Sequence, residues 1–310
     1  MIAGDWYSRG SSAHAILMMD NTYDYITNRP REFKQLAAND LLFLHYKCPQ
    51  EAKYIYVYNH FNQIAFTLQG AKTIHLGNQS WSMTERTTHF ARKGAWKQEN
   101  SDTKWELLAF YFPDEFLCSF YRENRALFQH NMLPSPGGDS IIILDLNDAT
   151  RAFFYSVLPY FLQPSPPSSS LLELKFRELL FHLLSNPENK SFLAHIKYLG
   201  DFQRPPLHDI MEANFYFNLS IPEYARIAQR SVSTFKRDFE ALYRTTPGKW
   251  LLQKRLNHAR LLLGSSGKNI NEIAEDSGFE NVSHFSRVFK EKFGMPPLQY
   301  RRMPKRPVAT

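Results

Sequence analysis

Cysteine is scarce in this chain: two among 310 residues, Cys48 and Cys118. They show no paired spacing, so neither a disulfide framework nor a zinc site is indicated. Long apolar runs are missing too, and no stretch approaches the roughly 18 residues of a membrane span. The opening MIAGDWYSRGSSAHAILMMDN lacks a basic leader, and its AILMM is too short for a signal-peptide core. A reducing cytoplasm, with no membrane, is the expected address. No Walker or dinucleotide glycine pattern occurs, which leaves nucleotide chemistry without support. His45, His60, His75 and His89 never fall in the His-x-His spacing that puts two imidazoles on one strand face. No metal, cofactor or catalytic residue is therefore expected.

What is present is an uneven charge. From Arg204 to Thr310 there are 18 Lys+Arg against 10 Asp+Glu, an excess of eight, while residues 1–203 hold 19 against 20. The whole net charge of +7 thus resides in the last third of the chain. A local positive field attracts phosphate without specifying any sequence. It needs a geometry before it means more than a solvated surface.

Three proline-containing polar stretches punctuate the chain: MLPSPGGDS (132–140), LQPSPPSSS (162–170) and LGDFQRPPLHD (199–209). Before the first, the text reads as strands. KYIYVYN alternates, IAFTLQGAKTIHLGNQ offers two short strands around Gln69-Gly70, and WELLAFYF is a fully apolar run. Between the first and third lie two helical patterns. DATRAFFYSVLPYFLQ begins at Asp148 as cap and should bend or end at Pro159. SLLELKFRELLFHLLSNP opens with Ser170 and Glu173 in capping-box spacing. Its Leu172, Phe176, Leu179, Leu180 and Leu183 form an apolar stripe. After residue 206 the text is helical almost to the end.

Residues 220–243 and 269–293 repeat one another. SIPEYARIAQRSVSTFKRDFEALY sets Ile221, Glu223 and Ala225 against Ile270, Glu272 and Ala274 of NINEIAEDSGFENVSHFSRVFKEKF. Phe235, Arg237 and Phe239 likewise answer Phe285, Arg287 and Phe289, one residue further out of phase. Each unit has helix–turn–helix physics. Ser220 with Glu223, and Asn269 with Glu272, cap a first helix reciprocally. Gly278 suits the positive-φ turn of the second unit; Gln229 stands near that place in the first. The second helix of each unit buries its phenylalanines and turns Ser283, Ser286, Arg287 and Lys290, or their counterparts, outward. Between the units, TTPGKWLLQKRLNHARLLLG reads as one helix over 247–263, with Thr246 as cap, Pro247 at its first position and Gly264 after its last turn. Trp250, Leu251, Leu256, Ala259, Leu262 and Leu263 would face both units. Seventeen residues make about 25 Å of rod.

With these residues in place, 206–302 resembles the DNA-binding domain of the AraC/XylS family. The resemblance is carried by P..WLLQKRLNHARLLL and by INEIAEDSGFENVSHFSRVFKEKFGMPPLQYR. It implies an α+β chain: a cupin-like β-barrel sensor over 1–140, a helical dimerisation segment over 141–200 and an all-α DNA-binding domain over 206–304. It implies double-stranded DNA as partner, with base reading by Ser233, Lys236 and Arg237 in the first unit and by Val282, Ser283, Ser286 and Arg287 in the second. Arg237 and Arg287 suit guanine, whose O6 and N7 match a guanidinium fork, and Val282 suits a thymine methyl. Lys290 and Arg301 are expected on phosphates. Arg255 is expected to be a structural ion-pair partner within the linker helix. RNA polymerase and a second copy of the chain are further implied partners.

The front end resembles that family's sensor domain only in pattern, where strand, turn and strand repeat through Gly70, Gly77 and Gly94. Trp81, Trp96, Phe66, Tyr54, Tyr56 and Tyr58 either line a cavity for a small effector or fill the core. The effector is either a small molecule or a protein. The stripe at Leu172, Phe176, Leu179 and Leu183 either pairs two copies or packs on the strands. Two rival readings are a partner-binding adaptor and an enzyme carrying a DNA-binding module, such as an alkyl acceptor. The latter needs an activated thiolate, and neither Cys48-Pro49 nor Cys118 in FLCSF has a nucleophile motif.

Overall fold

A computed structural model of the protein describes residues 20–47, 53–100, 104–129, 133–135, 139–202 and 206–302. Cys48 lies outside them. The chain divides into two compact units, Met1–Asp209 and Ile210–Thr310. Among the described residues, no helix is long and apolar enough to cross a membrane.

In chain order the first unit contains β1 (Asp20–Asn21), α1 (Thr22–Thr27), β2 (Lys34–Ala38), β3 (Leu41–Lys47), β4 (Tyr54–Asn59), β5 (Asn62–Gln69), β6 (Lys72–Leu76), β7 (Gln79–Met83), β8 (Thr88–Ala91), β9 (Gly94–Asn100) and β10 (Glu106–Phe112). Then follow α2 (Asp114–Glu123), β11 (Ile141–Leu144), α3 (Asp148–Val157), α4 (Ser169–Leu184) and α5 (Lys190–Phe202). The strands make a five-stranded sheet, β1-β4-β9-β6-β7, and a six-stranded sheet, β11-β8-β5-β10-β3-β2.

The apolar run WELLAFYF acquires its reason here. Leu108, Phe110 and Phe112 of β10 enter one core with Phe153, Phe154, Leu172 and Phe176 of the helices. Leu107, Ala109 and Tyr111 enter another, on the opposite face, with Leu42, Leu44 and Ala65. A strand buried on both faces has no use for polar alternation. β4 is different: Ile55, Val57 and Asn59 turn toward the space between the sheets, and Tyr54 and Tyr56 take the other face, beneath the Lys97 ammonium.

The two strands expected around Gln69-Gly70 are present, but they are not partners. β5 pairs with β8 and β10, whereas β6 pairs with β7 and β9. The chain therefore changes sheets at Gly70. Its φ is +80°, and a Cβ there would lie 2.0 Å from the carbonyl oxygen of Lys104. Gly77 does turn a true hairpin between β6 and β7, at φ +57°.

Several helical expectations shift. α3 is capped by Asn147, whose Oδ1 accepts the Thr150 N–H at 2.9 Å, so Asp148 is its first residue. As expected, the helix ends at Val157 before Pro159, which enters a 3₁₀ turn over Leu158–Leu162. α4 is capped by Ser168, not Ser170, and Glu173 accepts from Arg177 at 3.2 Å. α2 and α5 fall in stretches for which no helix is expected. Each has a helical stripe in hindsight: Leu117, Phe120 and Tyr121 in α2, and Phe192, Ile196 and Leu199 in α5, all buried. The α4 stripe is spent inside the unit: Leu172, Phe176, Leu179 and Leu183 are at most 1% exposed. It cannot pair two copies, and 141–200 folds with the strands into one unit, not as a separate segment.

Two predictions follow from this packing. Gly70→Ala should lower the stability of the N-terminal unit by at least about 1–3 kcal/mol, measured by urea denaturation, because backbone must move to admit the methyl. His89 is buried and has no Nδ1 partner, and burial pushes its pKa from 6.5 down to about 4. Between those values the unfolded chain takes up a proton that the folded one refuses. Stability is therefore full above pH 6.5 and falls as pH drops to 4, by about 3 kcal/mol from this residue. The His89→Gln variant should flatten that slope in denaturant titrations run at stepped pH.

Candidate nucleic-acid interface

The second unit takes over within α6 (Leu207–Asn214) and continues through α7 (Ile221–Ile227), α8 (Val232–Tyr243), α9 (Pro247–Ser265), α10 (Ile270–Asp276), α11 (Val282–Phe293) and α12 (Pro297–Arg302). Both expected capping boxes form. Glu223 accepts the Ser220 N–H at 2.6 Å, and Glu272 accepts that of Asn269 at 2.7 Å. Both turns then use one geometry. Gln229 at φ +53° and Gly278 at φ +79° occupy the left-handed region. The following N–H groups of Arg230 and Phe279 each reach back to the carbonyls of Ala225 and Ala274 at 2.9 Å. Glycine is required only in the second turn, where a Cβ would meet Tyr216 O at 2.8 Å and Arg255 Nε at 2.9 Å.

The second helices are equally matched. Ser231 and Asn281 cap them through the Thr234 and His284 N–H groups, and Arg244 (φ 54°) and Gly294 (φ 81°) end them left-handed. The repeat also extends one helix beyond the boundaries read from sequence. Trp250 lies 5.9 Å from Phe239 at 81°, and Tyr300 lies 5.5 Å from Phe289 at 80°. Pro247 and Pro297 each start the helix that carries this ring. α12 is thus the second unit's version of the first turn of α9. The signal was available, since TTPGKW and MPPLQY both place an aromatic three residues after that proline.

α9 runs two residues longer than expected, with Gly264 inside it and Ser266 as its C-cap. Its 19 residues make about 28 Å of rod. Leu256, Ala259, Leu262 and Leu263 pack with Ile273, Phe285 and Phe289 of the second unit, while Trp250 serves the first. Arg255 is structural, but not through an ion pair. It donates to the carbonyls of Phe215 at 2.9 Å and Phe217 at 2.6 Å.

These cores decide what faces outward. Phe235, Phe239, Phe285 and Phe289 are fully buried. Ser233, Lys236 and Arg237 on α8, and Ser283, Arg287 and Lys290 on α11, are exposed. Val282 and Ser286 are half-buried, and Val282 packs against the second core. The Lys236, Arg287 and Lys290 side chains make no hydrogen bond or ion pair among the described residues. Arg237 touches Asp238 at 3.5 Å, and Asp238 is itself held by Arg230 at 3.1 Å. Arg301 is half-buried and donates to the Lys268 carbonyl at 2.6 Å. This anchors α12 beside the start of the second unit.

In the first unit, His45 pairs with Glu106 at 2.6 Å and His75 with Glu99 at 2.9 Å. Among the described residues no three His, Cys, Asp or Glu are grouped to hold a metal. Burial, with Asp114 and Glu115 nearby, pushes the Cys118 thiol up to about 11, the opposite of an activated nucleophile. Between the sheets lies a cavity of about 60 Å³. Of the aromatics expected to line one, only Trp96 does, joined by Trp105, which the sequence reading missed. Phe66 instead stacks on Phe154 at 4.5 Å in the helix-side core.

Residues 62–195 match the family described as the ExsA N-terminal regulatory domain, and residues 224–303 match a helix-turn-helix domain family. The chain is 26% identical over 239 residues to the virulence regulon transcriptional activator VirF of Yersinia enterocolitica, covering 76% of this chain and 86% of VirF. It is 22% identical to the HTH-type transcriptional regulator ExsA of Pseudomonas aeruginosa, over 86% of this chain and 95% of ExsA. Among solved structures, ToxT from Vibrio cholerae aligns at 15% identity and a TM-score of 0.39, covering 85% of this chain and 98% of ToxT.

The division between buried and outward side chains is testable by stability alone. Phe285→Ala should cost about 3–5 kcal/mol in denaturant unfolding, whereas Arg287→Ala should stay within about 0.5 kcal/mol of the parent.

Proposed function

The chain belongs to the AraC/XylS family of transcription regulators, and we propose that its two helix–turn–helix units occupy successive major grooves of one duplex. α8 reads bases with Ser233, Lys236 and Arg237, and α11 with Val282, Ser283, Ser286 and Arg287. The observation that carries this reading is a repeated one. Arg237 and Arg287 stand at the same place in two matched helices, each opposite a fully buried phenylalanine pair. A solvated surface would not need to repeat a cation over a repeated core. The outward face of such a helix is the one that reaches base edges in a groove.

Lys290 contacts a phosphate, and so does the free side of the Arg301 guanidinium. The length of α9 suits heads set on the order of one DNA turn, about 34 Å, apart once their own widths are added. The N-terminal unit is a cupin-like sensor that receives a signal and tunes affinity for DNA. The activators among the relatives support activation, with RNA polymerase as partner, in the cytoplasm. A second copy would pair through a surface other than the buried α4 stripe; the outer side of that helix exposes Leu174 and Phe181. The match to a family described as a regulatory domain supports signal reception by this unit; control by a protein instead of a small molecule is the second reading.

Sites selected from random DNA, assayed by fluorescence anisotropy at several salt concentrations, test the base-reading assignment. Arg237→Ala and Arg287→Ala should each cost about 1–3 kcal/mol on the selected site and relax one base position. Lys290→Ala should weaken all sequences alike and reduce the salt slope by about 1. Equal losses on selected and random DNA for the two arginines would overturn the assignment.

A further inference from the structure

The cavity between the two sheets of the N-terminal unit has a wall with a chemical bias. Thr22 Oγ1, Asn59 Nδ2, Trp96 Nε1 and Trp105 Nε1 are buried without a hydrogen-bond partner among the described residues, and all four residues line this cavity. Amide and indole nitrogens only donate. Three of the wall's acceptors are already engaged. Asn59 Oδ1 takes the Tyr23 N–H at 3.1 Å, Gln98 Oε1 takes Lys72 Nζ at 2.9 Å, and the Tyr111 hydroxyl takes Gln63 Nε2 at 3.2 Å. Lys72 is 2% exposed and sits 4.1 Å from the centre of the Trp105 indole, so a cation is built into the same wall. Among the described residues, no Asp or Glu lines the cavity. The rest of the lining combines the apolar Ile26, Leu44, Val57 and Leu107 with the polar Gln63 and Tyr46.

We propose that this cavity binds a short-chain monocarboxylate, its oxygens toward Asn59, Lys72, Trp96 and Trp105 and its alkyl end against the leucines. The chemistry selects an anion over water. A water molecule satisfying those donors must still place its own hydrogens, and of the groups named only the Thr22 hydroxyl is open to accept one. A carboxylate only accepts, and it gains from a buried ammonium through charge-assisted contacts. The volume of about 60 Å³ admits on the order of four to six non-hydrogen atoms, judged by the space one water centre needs. That is the range from acetate to butyrate. The ligand's role as an effector rests on the reading of this unit as a signal receiver; its binding does not.

The test is calorimetric titration of the full chain with sodium acetate, propionate and butyrate, with propionamide as the neutral isostere and sodium chloride as the ionic control. At least one acid should bind saturably at one site, with propionamide about tenfold weaker or worse. Lys72→Met should weaken the acid about tenfold or more and leave propionamide unchanged. Should that variant fail to fold, Trp105→Phe and Trp96→Phe each remove one N–H while keeping an aromatic ring, and each should weaken the acid. The proposal falls if no acid exceeds the chloride control, if propionamide equals propionate, or if folded Lys72→Met binds as the parent does. Operator affinity measured with acid bound separates the two claims. A shift supports both the site and the effector role. An unchanged affinity, beside saturable binding lost in Lys72→Met, supports the site and overturns the effector role.

Discussion

The interface depends on the complete burial of two phenylalanines, four residues apart, on one side of each outward-facing helix. Phe235 and Phe239 hold α8, and Phe285 and Phe289 hold α11. A helix has one azimuth. Once residues at this spacing are sunk in a core, the residues one and two positions beyond each are committed to the surface. Each buried ring is worth roughly 2–3 kcal/mol, far more than an exposed Arg or Lys gains by its own contacts. The cations therefore do not choose their orientation. The apolar face chooses it for them, and the shared turn and cap geometry makes the choice identical in both units.

The two heads are not electrostatically equal. Where α8 carries Asp238 and Glu240, α11 carries Val288 and Lys290. Asp238 holds Arg230 and touches Arg237, so the first guanidinium starts beside a carboxylate. Arg287 has no such neighbour among its contacts, and Val288 adds to the core instead. The second head accordingly carries the larger positive charge.

The first unit works under another constraint. Its six-stranded sheet is covered on one face by helices and on the other by the five-stranded sheet, so β10 is buried on both sides. Covering both faces consumes the apolar stripe of α4, which is why that stripe is unavailable to a second copy. It also leaves a space where the two sheets meet, lined by leucines and by polar groups that find no partner among the described residues.

The sequence alone determined whatever depends on periodicity over short distances. The internal repeat, both capping boxes, the left-handed turn at Gly278, the linker rod and the outward set Ser233, Lys236, Arg237, Ser283, Arg287 and Lys290 follow from helix geometry and local hydrogen bonding. A misplaced cap, such as Asp148 for Asn147, is an error of one residue within a correct element. The tertiary structure decided what depends on residues distant in sequence. It sent β5 and β6 to different sheets, since Gly70 fits a sheet change as well as a hairpin. It turned Arg255 to two carbonyls 38 and 40 residues away, and it buried the α4 stripe, which looks the same whether a strand or a second helix covers it. It also assembled the cavity from Thr22, Asn59, Lys72, Trp96 and Trp105, which share no local pattern. Periodicity says which side of an element is apolar; only the packed chain says what lies against it.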